Sequence, residues 1–345
     1  MQSSTAALAG DPTDQEPGRS WFRVPLTTDL HGGQLNLTVH AVRGAEPGPT
    51  VAVVATVHGN EWFYIDVVRR LLDELQPETL RGTVLAVPVA NPAAFGQLVR
   101  ATPDASDTPD LNRTFPGRYN SITEQLAQAL DTHVLAHSDY LIQYDCGPWG
   151  WAIAEVMYGS DFPDPAVSEK SRDLAVAYGH PVIRAAALMA EHPGPRSMAG
   201  FAASRYNIPS ILPEIGGSGF GPDVEASWVT ANVTGTKSVL QHLGMLPGAT
   251  PRPERTYICR RRWRVNPSIA GMLEPNLTPE DLGKPVRAND LVGVVRDPYT
   301  LEVLEELRAP GDGLLFYVAR HQPVRPGDFS IGIMDTENAD VVTGE

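Results

Sequence analysis

The sequence predicts an α/β fold, a mixed β-sheet flanked by helices, followed by a small C-terminal all-β domain. Three observations carry this. Residues 34–89 read as strand (35–42), strand (51–57), helix (61–75) and strand (83–89), a βαβ unit that puts helices on the faces of a parallel or mixed sheet. Alternating elements then continue to about residue 246. After a proline-rich turn at 247–253 the texture changes to short β runs separated by Gly, Pro, Asn and Asp, the marks of a small all-β unit.

The apolar run ending at residue 57 is a buried strand, and it meets a helical pattern at His58-Gly59-Asn60-Glu61. Residues 91–117 form a turn-rich loop with Pro92, Pro103, Pro109 and Pro116, and loops this long inside a compact domain are usually functional. Then follow an amphipathic helix (121–137), a buried strand (140–144), an apolar segment (152–158) and a helix (167–178). A strand at 208–215 runs into Gly216-Gly217-Ser218-Gly219, and 229–243 is helical. In the C-terminal part the strand-like runs are 256–265, 291–295, 313–319 and 329–334. Residues 1–20 are small and polar and read as a disordered tail, which leaves 21–247 as the catalytic domain and 253–340 as the β domain.

The 345 residues suffice for two domains and a large core. With 27 Lys+Arg against 41 Asp+Glu, the net charge of -14 argues against nucleic acid or an anionic membrane as the main partner. Cys146 and Cys259 stand outside any C-x-x-C pattern, so neither a disulfide framework nor a structural zinc module is supported, and a reducing cytoplasm fits. The first residues lack the basic and apolar core of a targeting signal, and no stretch approaches the roughly 20 apolar residues that cross a bilayer. The expected partner is a small molecule, and a homo-oligomer is compatible with the chain.

Four separated features fall at strand ends or in the long loop. His58 and Glu61 place an imidazole and a carboxylate at the carboxyl end of a strand, where open α/β sheets carry their sites. Asp110-Leu111-Asn112-Arg113-Thr114-Phe115-Pro116-Gly117 sets a guanidinium beside an amide, a pair suited to bidentate capture of a carboxylate, with Arg100 earlier in the same loop. Asp145-Cys146-Gly147 ends the strand that begins near Tyr140, and Pro213-Glu214-Ile215-Gly216-Gly217 puts a carboxylate beside glycines that admit a ligand to the backbone. Metal-assisted hydrolysis needs such parts: ligands with an open position, a carboxylate to move protons and a positive group to polarise a carbonyl.

These motifs resemble the succinylglutamate desuccinylase/aspartoacylase family, relatives of zinc carboxypeptidases, with Asp-Leu-Asn-Arg and Phe-Pro-Gly the most specific part. The likeness runs from about residue 50 to the end and implies a zinc carboxypeptidase-like fold and hydrolysis of an N-acyl amino acid. By that resemblance His58 and Glu61 bind zinc, Arg100 polarises the scissile carbonyl, and Asn112 and Arg113 hold the carboxylate of a small-molecule substrate. Glu214 activates the attacking water and then protonates the leaving amine.

One departure stands out: where the family has Asp-x-His, with His the third ligand, this chain has Gln143-Tyr144-Asp145. Asp145 as third ligand, Asp145 as a carboxylate orienting His58, and Cys146 as the ligand are the alternatives at this position. One His and two carboxylates around a divalent ion make a neutral, harder site than two His and one Glu, a weaker Lewis acid that relatively favours Mn2+ or Fe2+ over Zn2+. A peptidase, a non-hydrolytic metal-binding protein and an enzyme of specialised metabolism are rival readings of the same parts.

Other features have plainer readings. His133 and His137 read as the favourable positive end of a helix. Arg260-Arg261-Arg262, with Trp263 and Arg264, reads as a solvated or interface strand edge. Trp149 and Trp151 are candidates for lining a pocket, and Met157 and Tyr158 read as core.

Overall fold

The structure, a computed structural model, describes residues 16–28, 32–103, 109–118, 120–191, 194–249 and 252–344. Strands β1 (Gly18–Thr28), β2 (Gln34–Arg43) and β3 (Glu46–Val54) lead through helix α1 (Phe63–Glu74) to β4 (Arg81–Val87). A short helix α2 (Pro92–Phe95) follows, then α3 (Ile122–His133), β5 (Tyr140–Gln143), β6 (Trp151–Gly159), α4 (Pro165–Tyr178) and β7 (Val182–Ala186). Helices α5 (Leu188–Glu191) and α6 (Met198–Tyr206), strand β8 (Ser210–Gly216) and helix α7 (Pro222–His242) complete this part.

The sheet order is β1-β2-β4-β3-β5-β8-β6. β3 runs parallel to both β4 and β5, and β5 parallel to β8, while β1, β2 and β6 pair antiparallel with their neighbours in that order. A central parallel strand is covered on both faces, which is why residues 51–54 are all apolar and fully buried. Val51 and Val53 face a core shared with α1 and α7, and Ala52 and Val54 face one shared with α3 and α6. Each buried valine contributes roughly 1.5–3 kcal/mol. In α1 the fully buried Tyr64, Val67, Val68 and Leu71 recur at helical spacing and form one face.

The C-terminal part contains β9 (Arg255–Cys259), β10 (Arg262–Val265), β11 (Gly271–Pro275), β12 (Pro285–Val286), β13 (Leu291–Arg296), β14 (Val303–Arg308), β15 (Gly313–Ala319), β16 (Gln322–Val324), β17 (Ile331–Asp335) and β18 (Asp340–Thr343). A separate antiparallel sheet has the order β14-β13-β11-β16. The other strands join the large sheet, because β6 forks along one edge: its residues 151–153 pair with β15 and its residues 156–159 with β7, which in turn carries β9. The proline-rich stretch at 247–253 therefore marks a change of sequence texture, while the large sheet takes strands from both sides of it.

The mixed sheet, its flanking helices and the C-terminal antiparallel sheet match the expected class. Several expectations need correction. The run 256–265 is two strands, since β9 pairs with β7 and β18 whereas β10 pairs with β17. Residues 18–20 belong to β1 and not to a tail, held by pairing with residues 41–43 of β2; residues 1–15 lie outside the described residues. The first helix starts at Phe63 because residues 58–61 are spent on a turn, in which the Glu61 amide donates to the His58 carbonyl at 3.1 Å. Strand β7 had no expectation at all. No helix among the described residues is long and apolar enough to cross a membrane.

Tyr64 ties α1 to β8. Its hydroxyl accepts from the Ile215 amide at 2.9 Å and donates to the Pro213 carbonyl at 3.1 Å, gripping the backbone on both sides of Glu214, and its ring stacks on Tyr144 at 4.7 Å. Tyr64→Phe keeps the stack but leaves the buried Ile215 amide unpaired, so urea unfolding should show a loss of about 1–3 kcal/mol. Wild-type stability in that variant would show that the hydroxyl bonds contribute nothing net.

Candidate metal centre

The site forms where β3 and β5 end side by side. Beyond β3 the chain passes through Thr56 at φ +51°, a left-handed conformation that costs a β-branched residue of order 1–3 kcal/mol. Thr56 holds it because its carbonyl accepts from the Asn91 amide at 3.1 Å while Ala55 pairs with Val87 and Ala90. The turn 58–61 then lies against α2 so closely that a Cβ on Gly59 would sit 2.1 Å from the Ala94 carbonyl carbon, which only glycine allows. This aims the side chains of His58 and Glu61, each 1 % exposed, into the protein. At β5 the Tyr144 amide donates to Val54 and the Asp145 amide to Pro213, which brings Asp145 to the same point.

Among the described residues, His58, Glu61 and Asp145 form the single group of three metal-capable donors, with ligand atoms within 4.8 Å of one another. His58 Nδ1 lies 2.9 Å from Glu61 Oε1 and 3.3 Å from Asp145 Oδ1. It is nonetheless buried without a well-aligned hydrogen bond to a described residue. His58 Nε2 is 3.1 Å from Asp110 Oδ1.

Burial opposes ionisation of Asp110, but the hydrogen bond to His58 and the charges of His58, Arg100 and Arg113 hold its carboxyl well below the usual range. An ionised carboxylate only accepts, so Nε2 carries the proton and donates, and Nδ1 turns towards Glu61 and Asp145. Asp110 thus does for His58 what a carboxylate partner does for a metal-ligating imidazole. Asp145 faces the other nitrogen of the ring, Nδ1, and Asp110 faces Nε2. Cys146 offers its backbone amide to Glu61 Oε2 at 3.3 Å, and its thiol stands outside the donor group.

The charges suit a cation. Burial and the Asp145 carboxylate push the Glu61 carboxyl up to about 8, against the opposing pull of His58. Burial alone would depress the His58 imidazolium, yet Glu61, Asp145 and Asp110 together raise it well above its ordinary value. Two acids and a buried imidazole crowd one point, so a divalent ion fits their chemistry and gives Nδ1 a partner.

A cavity of about 340 Å³ opens beside this point. Its wall carries Asp145, Arg100, Asn112, Arg113 and Glu214, so the structure brings all the expected site residues to one place. Arg100 arrives because Asn91 caps α2 through Ala94 and bonds Thr102, and because the Gly59 amide bonds the Arg100 carbonyl. Its guanidinium bridges Glu61 Oε1 at 3.3 Å and Asp110 Oδ2 at 3.2 Å. Asn112 Oδ1 accepts from the Met198 amide at 2.9 Å, leaving its NH2 as the donor group, and Arg113 is about a third exposed above it. Glu214 lies on β8 opposite Glu155 of β6; burial, Glu155 and Asp145 raise its pKa well above the carboxylate range.

The catalytic-domain model of the succinylglutamate desuccinylase/aspartoacylase family matches residues 47–243. The chain belongs to this family. A curated relative from Halomonas elongata, an N-alpha-acetyl-L-2,4-diaminobutyric acid deacetylase, is 26 % identical over 317 residues, 89 % of this chain and 88 % of its own. Two solved structures share the fold: a succinylglutamate desuccinylase/aspartoacylase from Rhodobacter sphaeroides and the product-bound ectoine utilization protein EutE (DoeB) from Ruegeria pomeroyi. They give TM-scores of 0.77 and 0.79 at 24 % and 22 % identity, and cover 96 % and 94 % of this chain and 100 % and 97 % of theirs.

Within this family fold, several cavity residues escaped the sequence reading. β10 is the last strand on its sheet path, as a solvated or interface edge should be, and Arg264 is exposed, but Arg262 and Arg264 also line the cavity, a role that strand alternation could have suggested by putting 262 and 264 on one face. Met157, buried in the core as expected, also lines it; of the two tryptophans expected at a pocket, Trp151 lines the cavity, whereas Trp149 is half exposed and stacks under Arg320 at 4.2 Å. His133 stands in the last turn of α3, where burial, and then neighbouring His137, lowers its pKa. Asp110→Asn should weaken metal binding about 10- to 100-fold with the fold intact, the usual cost of losing such a partner. Chelator competition measures it, and unchanged affinity would show that Asp110 does not orient His58.

Proposed function

We propose that this protein hydrolyses the amide bond of small N-acyl amino acids at a single divalent-metal centre. The observation that carries this is the joining of His58, Glu61 and Asp145, with Nδ1 in no well-aligned hydrogen bond to a described residue, to a cavity that also holds Arg113 and Glu214. Family membership and the deacetylase relative support it.

His58 Nδ1 and the Glu61 and Asp145 carboxylates would hold the ion. When bound, it supplies Lewis-acid polarisation of the carbonyl and acidification of water. Zinc is the first candidate, and the harder ligand set with Asp145 favours Mn2+ or Fe2+ more than a two-histidine site does. Arg100 spends two contacts on Glu61 and Asp110, which fixes its plane at the cavity wall and leaves further N–H donors for an oxygen that gains negative charge. The Asn112 NH2 and the Arg113 fork take the substrate carboxylate, which sets the amide against Glu214. Glu214, whose hold on a proton is strengthened by burial and by Glu155 and Asp145, would accept a proton from the attacking water and return it to the leaving amine. Two buried free thiols, Cys146 and Cys259, support a reducing cytoplasmic setting.

Glu214→Gln should lower kcat by about 10²–10⁴ on an N-acyl amino acid while metal content stays at the wild-type level. Elemental analysis beside single-turnover assays checks both halves. Near-normal turnover would remove Glu214 from the proton path.

A further inference from the structure

Strand register orders the cavity wall in rows, each about 7 Å from the last, because every second residue of a strand faces the same way. In one row Leu212 of β8 pairs with Met157 of β6. Leu188 and Ala199 pack with this pair, and the Met198 amide beside them donates to Asn112, so the Asn112 and Arg113 side of the cavity lies here. In the next row Glu214 pairs with Glu155. One row further Ile153 lies between Gly216 of β8 and Tyr317 of β15, and Trp151 follows two residues on. The carboxylate clamp and these last side chains therefore lie on opposite sides of Glu214.

Beyond Glu214 the wall is apolar and aromatic, made of Pro148, Trp151, Ile153, Tyr317 and Phe329. Trp151 meets Tyr317 edge to face at 5.4 Å, and Tyr317 stacks on Phe329 at 4.1 Å. The Tyr317 hydroxyl donates to the Phe329 carbonyl at 2.9 Å, so it is already engaged and the wall offers ring surface. Gly147 backs Trp151 so closely that a Cβ there would stand 3.0 Å from its ring, which fixes the indole as part of the wall. Trp151 and Phe329 are only partly buried. β10 closes the far end with Arg262 and Arg264. Arg262 faces the buried Glu155 at 4.0 Å, and Arg264 is exposed to water with its guanidinium 5.1 Å from the centre of the Phe329 ring.

We infer that this wall is a subsite for an aromatic acyl group, with Trp151 and Phe329 setting the preference for it. The inference rests on the deacylase reading. With the substrate carboxylate on Asn112 and Arg113 and the amide at Glu214, the row order sends the acyl group towards Trp151 and Tyr317. An aromatic ring there removes its own surface and that of Trp151 and Phe329 from water, and gains edge-to-face or offset contact with rings already held in place. The methyl of an acetyl group stops short of them and leaves the wall wet.

The test uses metal-loaded enzyme and three substrates that differ in the acyl group alone: N-acetyl-, N-phenylacetyl- and N-succinyl-L-alanine. The phenylacetyl compound should exceed the acetyl compound by about 10-fold or more in kcat/KM, chiefly through KM. Trp151→Ala and Phe329→Leu should each pull that ratio towards one, and Trp151→Phe, which keeps a ring in the wall, should retain most of it. Phe329→Leu is the safeguard if Trp151→Ala fails to fold, since Trp151 is wedged between Gly147 and Tyr317. A ratio near one in wild type, a preference for the succinyl compound, or a ratio untouched by the Ala and Leu variants overturns the subsite. If none of the three is hydrolysed, the deacylase reading fails on its own, and calorimetry with phenylacetate and acetate decides the subsite. Tighter phenylacetate binding that is lost in Phe329→Leu upholds it, and equal binding of the two acids overturns it.

Discussion

The structure turns on an excess of negative charge around one buried imidazole. Glu61, Asp145 and Asp110 all approach His58, and Arg100 bridges two of them without cancelling the set. Buried like charges are costly unless a cation joins them, and here both Glu61 and His58 hold protons far more tightly than they do in water. The backbone around them bears the cost of holding this arrangement: Thr56 is strained, Gly59 admits no side chain, and Tyr64 pins β8 from the opposite face. Each feature fixes donor atoms that a divalent ion would gather.

The sheet then acts as a ruler. Because strand side chains alternate, residues 143 and 145 of the β5 end, 212 and 214 of β8, and 155 and 157 of β6 all lie on one face in two adjacent rows. Asp145, Glu214 and the arginine-rich far end are therefore set by strand spacing, whereas His58 and Glu61 reach the same point from the turn that follows β3. The C-terminal strands belong to this ruler, since β15 pairs with β6 and β10 brings Arg262 to the cavity. Gly217 lets the β8 end run tightly past β6: a Cβ there would meet the Trp151 carbonyl oxygen.

Much of this was legible in the residues. The apolar run into His58, the Asp-Leu-Asn-Arg loop and Glu214 before its glycines announce the site because each is a strand end or a loop motif of local character. What stayed hidden depends on pairing between distant segments. Asp110 stood in a recognised motif, but only the folded loop sets it against Nε2 of His58. The fork in β6 and the break between β9 and β10 follow from which strands they meet, and no local pattern encodes that. Arg262 and Arg264 do sit on an edge strand, paired on β17 alone among the described strands, but that edge borders the cavity, which the arginine-rich run by itself could not show.

The central claim is that one divalent ion binds between His58, Glu61 and Asp145. Anomalous diffraction from crystals of the metal-loaded protein, recorded at the absorption edge of the added ion, tests it directly. The account predicts a single strong peak within bonding distance of His58 Nδ1 and of one oxygen each from Glu61 and Asp145. A peak on the Cys146 sulfur, a peak away from His58, or no peak from protein grown in saturating metal would contradict it.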